Sequence, residues 1–248
     1  ALRTMRDVAR FAIVMTFLLA AAAFPQSALF VVDRIDVVGA VTLQPSAVAS
    51  LAGVERGRRL FAVRAAEHVR RLRAHPRIKA ADVRVQPPDG VVITITERRP
   101  VMALGVGGRF ALLDDELTVV ALTDGPAGLP EVEDRTGRPT TLRRVGARAV
   151  SEGARIGLAA LAAAPPVLRD NLAKIRVMAG PDLTLITWSG LEIRAGGLWG
   201  LSGRLAQVPG VLQALAGRGV APGAIDLRYG GSVVVMPALE EITEGDGR

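Results

Sequence analysis

The fold depends most on residues 81–97, Ala81-Asp-Val-Arg-Val-Gln-Pro-Pro-Asp-Gly-Val-Val-Ile-Thr-Ile-Thr-Glu97. Apolar side chains at Val91, Ile93 and Ile95 recur with a period of two, which is typical of a half-buried strand. Residues 81–85 alternate in the same way, and the Pro-Pro-Asp-Gly sequence between the two runs predicts a turn. The stretch therefore predicts two neighbouring strands joined by a short connection.

The residues before this stretch predict one strand and two helices. Residues 30–40 alternate like a strand, and Pro45–Leu51 can form a short helix with proline in its first turn. A second helix is predicted at Val63–Arg73, and Pro76 requires it to stop before that residue. The order is β-α-α-β-β, and a three-stranded sheet with two helices on one face would close its core.

Residues 100–238 predict a second domain, a mixed β-sheet with flanking helices, so the fold class of the chain is α+β. The segment Thr123–Arg144 is rich in Gly, Pro and charge and is expected to be a loop. Leu198–Leu215 is expected to form two short helices, the second starting at Pro209. The polar residues 239–248 predict a flexible tail. Strands are expected at Val101–Val106, Phe110–Asp114, Leu117–Leu122, Ile175–Met178, Leu183–Trp188, Leu191–Arg194, Ile225–Leu227 and Val233–Met236, and a helix at Val150–Ala163.

The N-terminus has the character of a membrane segment. Residues 11–32 contain no charge, and these 22 residues would span roughly 33 Å as a helix, enough for a hydrocarbon core of about 30 Å. We predict a transmembrane helix at residues 11–29 after a cytoplasmic tail at residues 1–10. Arginines before the helix and Asp33 after it predict a single-pass protein of the cell (inner) membrane with its C-terminal domain extracytoplasmic. The alternative is a cleaved signal peptide, because the most apolar part covers only residues 11–24.

The net charge of +7 does not by itself predict binding to nucleic acid. Among the 31 basic residues only Lys79 and Lys174 are lysines, and the arginines are scattered among acids. No basic stripe with aromatic side chains offers a surface on which bases could stack. We therefore predict no nucleic-acid partner, and the basic surface is better suited to anionic lipid headgroups or acidic partners.

Side chains for catalysis or metal binding are scarce. The chain has no cysteine, which excludes disulfides, thiol catalysis and cysteine zinc sites. His68 and His75 lack a supporting acid at ligand spacing and are expected to be surface or boundary residues. Acidic runs such as Asp114-Asp115-Glu116 lie at predicted turns and are expected to be solvated. We therefore predict no catalytic, metal or cofactor site, no small-molecule substrate and no enzymatic activity.

The strongest functional feature is Val233-Val-Val-Met236, a short apolar strand close to the chain end. If no other segment pairs with its outer side, its N–H and C=O groups are open, and a partner could add a strand there. The alternative is an ordinary terminal strand that the chain itself covers. The residues alone favour neither.

Two motifs are more specific than the rest, Glu97-Arg-Arg-Pro100 after the third predicted strand and Asp226-Leu-Arg-Tyr229 before the last one. With several weaker segments, they resemble the bacterial cell-division protein family FtsQ, called DivIB in Gram-positive bacteria. The resemblance covers nearly the whole chain in the family's order. The weaker segments are Ile35-Asp-Val-Val-Gly39, Gly57-Arg-Arg-Leu-Phe61, Leu72–Arg84, Val92–Thr96, Val101–Ala103, Leu112-Leu-Asp114 and Leu129-Pro130.

The resemblance implies a POTRA domain at residues 30–99 and an FtsQ-type β domain at residues 100–238. It implies a non-catalytic scaffold that links early and late division proteins at the septum. In this family the β domain binds membrane proteins of the FtsB and FtsL type, largely through its last strand. Other division proteins are expected to bind the POTRA domain, with Ala81–Gln86 as a second docking edge. The alternative is a POTRA-bearing component of envelope assembly or secretion.

The resemblance also assigns a partner-binding site around the last strand. Some family members carry an aromatic residue directly after this strand, where the chain has Met236-Pro237 instead, so one stacking contact of the family is missing here. The residues expected to bind the partner are Arg228, Tyr229, Gly231, Ser232, Val233, Val234, Val235 and Met236.

Overall fold

The fold is given by a computed structural model that describes residues 10–18, 30–142, 144–180, 182–229 and 231–237. Helix α1 covers residues 10–18, whereas residues 19–29 of the predicted membrane helix lie outside the described residues. Within the described ranges, no helix is both long and apolar enough to cross a membrane. The membrane helix at residues 11–29 and the tail at residues 239–248 therefore stay predictions.

The chain divides into two compact units, residues 1–98 and residues 99–248. The described part of the first unit contains one three-stranded sheet in the order β1-β3-β2, with β1 parallel and β2 antiparallel to β3. The elements after α1 follow the predicted β-α-α-β-β order. They are β1 (Arg34–Val38), α2 (Pro45–Ala52), a 3-10 turn (Leu60–Ala62), α3 (Ala65–Arg73), β2 (Ile78–Gln86) and β3 (Gly90–Glu97).

The core of the first unit forms where the alternation predicted it. Val91, Ile93 and Ile95 of β3 are all buried, and β3 is the central strand. Pro45 occupies the first turn of α2, and the helix ends at Gly53, whose left-handed φ of 69° an L side chain rarely adopts. The alternating pattern therefore gave the central strand and its buried face correctly.

The second unit is built on a nine-stranded mixed sheet with helices α4 to α7. Its strand order is β12-β11-β10-β9-β8-β7-β4-β5-β6. The strands are β4 (Met102–Val106), β5 (Arg109–Leu113), β6 (Val119–Thr123), β7 (Glu131–Arg135), β8 (Leu172–Met178), β9 (Leu183–Thr187), β10 (Glu192–Arg194), β11 (Pro222–Asp226) and β12 (Val234–Pro237). The helices are α4 (Glu152–Ala163), α5 (Pro166–Arg169), α6 (Leu201–Leu205) and α7 (Val208–Ala216).

One strand was missed in the sequence, because β7 lies inside the segment Thr123–Arg144 that was expected to be a loop. It pairs in parallel with β4 on one side and β8 on the other. Its only apolar residue, Val132, is fully buried, and a Cβ added at Gly157 of α4 would lie 2.8 Å from Val132 Cγ2. Glu131 forms an ion pair with Lys174 of β8 at 3.2 Å. The strand depends on neighbours in the sheet, which a local pattern does not contain.

The break in the predicted helical stretch Leu198–Leu215 is confirmed. Helix α6 ends at Leu205, and α7 begins at Val208 with Pro209 in its first turn, where a missing N–H costs no intrahelical bond. Leu201, Leu205 and Val208 are buried in the core of the second unit. The first half of the stretch therefore contributes side chains to this core.

Candidate partner-binding site

The last strand among the described residues, β12, lies at one end of the nine-stranded sheet. β12 pairs antiparallel with β11, with Val234 opposite Asp226, Val235 opposite Ile225 and Met236 opposite Ala224. Within the described residues no strand pairs with its other side. The apolar strand predicted from the sequence is thus an edge strand.

The backbone groups on the free side of β12 can be assigned from the pairing of β11. The N–H of Leu227 donates to the carbonyl of Arg194, on the β10 side of the sheet, at 2.9 Å. Because backbone groups along a strand point alternately to the two sides, Asp226 and Ala224 face β12. Their partners Val234 and Met236 therefore face β11, which leaves the N–H and C=O of Val235 directed away from the sheet.

The side chains of β12 form two different faces. Val233, directly before the strand, packs against the core of the second unit. Val235 is half-buried and lies on the same face, opposite the fully buried Ile225. Val234 points to the other face and is 41% exposed, and Met236 is half-buried there. A partner strand would therefore meet an open backbone group at Val235 and an exposed apolar side chain at Val234.

The turn before β12 carries Tyr229, one of the residues predicted to bind the partner. The N–H of Ser232 donates to the carbonyl of Tyr229 at 2.8 Å and closes a four-residue turn. Gly231 has a φ of 85°, a conformation that residues with a Cβ rarely adopt. The Tyr229 side chain is 57% exposed. The turn therefore places an aromatic side chain in solvent at the start of the open edge.

Arg228 has a structural partner that sequence reasoning missed. Its Nε donates to Asp226 Oδ1 at 3.0 Å, and its Nη2 donates to Asp226 Oδ2 at 2.7 Å. Asp226 is only 1% exposed, yet hydrogen bonds from Arg228 hold the pKa of its carboxyl below the ordinary value against the opposite effect of burial. The carboxylate in turn raises the pKa of Arg228. The Asp-x-Arg spacing in the sequence is the pattern that could have predicted this pair. The pair stabilises the connection between β11 and β12.

The residues considered for catalysis have structural contacts. His68 is buried, and its Nδ1 lies 2.7 Å from the carbonyl oxygen of Ala52, which ties α3 to α2. Asp114 is fully buried and accepts a hydrogen bond from the N–H of Thr118 at 2.8 Å, so the expectation of a solvated acidic run was wrong at this residue. No group of His, Cys, Asp or Glu side chains in the described ranges could hold a metal ion.

The second docking edge, Ala81–Gln86, lies on β2, which is an edge strand of the first unit's sheet. Val83 is buried, whereas Arg84 is exposed and forms an ion pair with Asp82 at 2.7 Å. Charged side chains on an edge strand disfavour pairing with an unrelated strand. A partner for this edge would have to match these charges.

Comparison with known proteins supports the resemblance seen in the sequence. Residues 30–98 match the family model described as "POTRA domain, FtsQ-type". A protein of Streptomyces bingchenggensis named cell division protein FtsQ is 30% identical over 186 residues, which cover 74% of this chain and 68% of that protein. The proteins of the same name from Streptomyces griseus and Streptomyces collinus are 35% and 33% identical over 117 and 132 residues, covering 46% and 50% of this chain. These matches cover 56% and 50% of those two relatives. The chain therefore belongs to the FtsQ family of cell division proteins.

Proposed function

We propose that this cell division protein is a non-catalytic scaffold that links early and late division proteins at the septum through extracytoplasmic contacts. The observation that carries the proposal is the free side of β12, where the N–H and C=O of Val235 have no strand partner among the described residues. A partner segment of extended conformation could add a tenth strand there.

The chemistry of β12 suits strand addition. Main-chain hydrogen bonds supply affinity without depending on partner sequence, and side-chain contacts supply specificity. Val234 offers an exposed apolar side chain, and Tyr229 an exposed aromatic one at the start of the strand. The partner would bring an extended segment with apolar side chains at alternate positions. In this family, membrane proteins of the FtsB and FtsL type are the expected partners.

The predicted membrane helix at residues 11–29 would anchor the scaffold in the membrane. It would hold both units on the extracytoplasmic side, where the ends of single-pass partners are also exposed. Residues 30–99 would then be available to other division proteins through β2. Localisation to the division septum follows from this proposal and can be tested by imaging an N-terminal fluorescent fusion.

Val234→Asp tests the site directly. The side chain points away from the core and is 41% exposed, so the chain should still fold, although the new carboxylate lies opposite Asp226 and should lower stability modestly. It places a carboxylate where a partner side chain must pack, so strand addition would desolvate a charge. We expect affinity for the extracytoplasmic segment of an FtsB-type partner to fall at least tenfold, measured by titration calorimetry.

The matched control is Val234→Thr, which keeps the branched shape without a charge and should lose less affinity. Circular dichroism of both variants should be unchanged. Wild-type affinity of a folded Val234→Asp variant would remove β12 from the binding site.

A further inference from the structure

A cationic surface lies at one end of the first unit. Arg56, Arg58, Arg59 and Arg64 are all exposed, and the Phe61 side chain between them is 54% exposed. We call these five residues the cationic segment. A large aromatic side chain in solvent amid positive charges is characteristic of surfaces that meet the boundary of a lipid bilayer.

Within residues 55–80, basic side chains far outnumber acidic ones. Residues 55–80 contain nine arginines and lysines and two acids. Both acids already have an arginine partner, since Glu55 pairs with Arg58 at 3.2 Å and Glu67 pairs with Arg71 at 2.7 Å. In the part of the chain that the structure describes, no carboxylate lies within ion-pair distance of the other arginines of the cationic segment, Arg56, Arg59 and Arg64.

The backbone fixes this segment beside the residues that follow the predicted membrane helix. The N–H of Leu60 donates to the carbonyl of Phe30 at 2.9 Å, and the N–H of Val32 donates to the carbonyl of Arg58 at 2.8 Å. The rings of Phe30 and Phe61 have centroids 5.1 Å apart. Phe30 comes directly after the predicted membrane helix at residues 11–29, so a membrane-inserted helix would bring the cationic segment to the headgroup layer.

We propose that the cationic segment binds anionic phospholipid headgroups of the leaflet next to the predicted membrane helix, with Phe61 inserted at the headgroup boundary. Charge complementarity would suit lipid or an acidic protein, and the exposed Phe61 side chain among the arginines favours lipid. The position beside Phe30 favours the anchoring leaflet over another membrane. This binding is independent of β12. It would fix the orientation of the first unit relative to the membrane, which a flexible tether alone would not do.

The test uses a reporter at a single introduced cysteine, because the chain has none of its own. Ala62→Cys places an environment-sensitive fluorophore next to Phe61 at an exposed position. Val41→Cys is the matched control, since Val41 is 68% exposed and follows the far end of β1, a strand that starts at Arg34 near Phe30. The full chain is reconstituted in phosphatidylcholine vesicles with and without phosphatidylglycerol.

We expect the reporter at residue 62 to shift to an apolar environment only in vesicles with phosphatidylglycerol, and the reporter at residue 41 to stay aqueous. Each arginine near an anionic surface strengthens association about fivefold. Replacing Arg56, Arg59 and Arg64 with Gln should therefore abolish the shift, whereas Arg73→Gln at the other end of α3 should leave it. High salt should also weaken the shift.

Three results would overturn the proposal. The reporter at residue 62 could remain aqueous in anionic vesicles, or both reporters could shift equally, or the triple Gln variant could keep the wild-type shift. A reporter that responds to an added acidic protein but not to anionic vesicles would assign the segment to a protein partner instead.

Discussion

At one edge of the nine-stranded sheet a loop pairs with the start of the edge strand β6, and at the other edge no described residue pairs with the outer side of β12. At the β6 edge, the N–H of Val119 donates to the carbonyl of Ala147 at 3.0 Å, and the N–H of Ala149 donates to the carbonyl of Leu117 at 2.8 Å. At the β12 edge, no described segment makes such bonds with Val235. Open edges invite association with other chains, and proteins usually block them. This difference between the two edges supports the proposal that a partner adds a strand at β12.

The β2 edge of the first unit's sheet follows a third arrangement. β2 is uncovered within the described residues, but Asp82 and Arg84 place charges along it. β12 between Val234 and Met236 has no charged side chain. Charged side chains disfavour pairing at an edge even where no segment covers it. Among the edges at β6, β2 and β12, the apolar β12 is therefore the least protected.

The largest effect on stability is expected at Asp134, which binds Ser151 close to the loop residues Ala147 and Ala149 that pair with the start of β6. Burial alone would raise the pKa of Asp134, but hydrogen bonds from Thr136, Ser151 and Gly153 lower it below the ordinary value. Ser151 Oγ donates to the carboxylate at 2.8 Å and the N–H of Gly153 at 3.1 Å. Asp134→Ala leaves these donors unpaired. The free energy of unfolding from urea titration should fall by about 2–3 kcal/mol.

Asp124→Ala is the control, because Asp124 is 96% exposed and has one ion pair with Arg109 at 3.4 Å. Its unfolding free energy should stay within about 0.5 kcal/mol of wild type. Equal losses for the two variants would show that Asp134 does not anchor the loop over β6.

A smaller loss of stability is expected when the pair between Asp226 and Arg228, next to β12, is weakened. Asp226→Asn removes the charge that holds Arg228, and the unfolding free energy should fall by about 1–2 kcal/mol. Partner affinity should fall as well, because the turn that positions β12 becomes less ordered. Asp182→Asn removes only the 3.4 Å contact with Arg228 Nη1 and should change neither quantity measurably. Normal partner affinity in a folded Asp226→Asn variant would show that this pair does not position β12.

The smallest effect on stability at neutral pH is expected at Glu97, whose carboxylate binds residues 41–43 in the first unit. Burial would raise the pKa of Glu97, but the Thr42 hydroxyl and the N–H groups of Leu43, Val41 and Thr42 lower it to about 2. Because the folded-state pKa lies below the ordinary value of 4.5, this stabilisation is full above that value and is lost as pH falls toward 2. Glu97→Gln should therefore lower stability by about 1 kcal/mol at pH 7 and flatten its acid dependence. An unchanged acid limb of the unfolding curve would contradict this role.

Elements with a clear local period could be predicted, and those that depend on neighbours could not. The alternation at Val91, Ile93 and Ile95 gave β3, but β7 has a single apolar residue, Val132. Glu97 was noticed as part of a motif, yet its role comes from N–H groups 54 to 56 residues away. The apolar character of Val233–Met236 was visible in the sequence. Its place at a sheet edge required the order of nine strands, which no local pattern contains.

Val235→Pro is the decisive variant for strand addition at β12, because it removes the one N–H of β12 that faces away from β11. Proline is tolerated on an edge strand when its missing N–H would face solvent, so the fold should persist. Val234→Pro is the matched contrast, since the N–H of Val234 faces β11 and its loss should disrupt the hairpin. We expect the Val235→Pro variant to keep the wild-type unfolding transition and to lose at least tenfold in affinity for an FtsB-type partner segment. Wild-type affinity in that folded variant would contradict strand addition at β12.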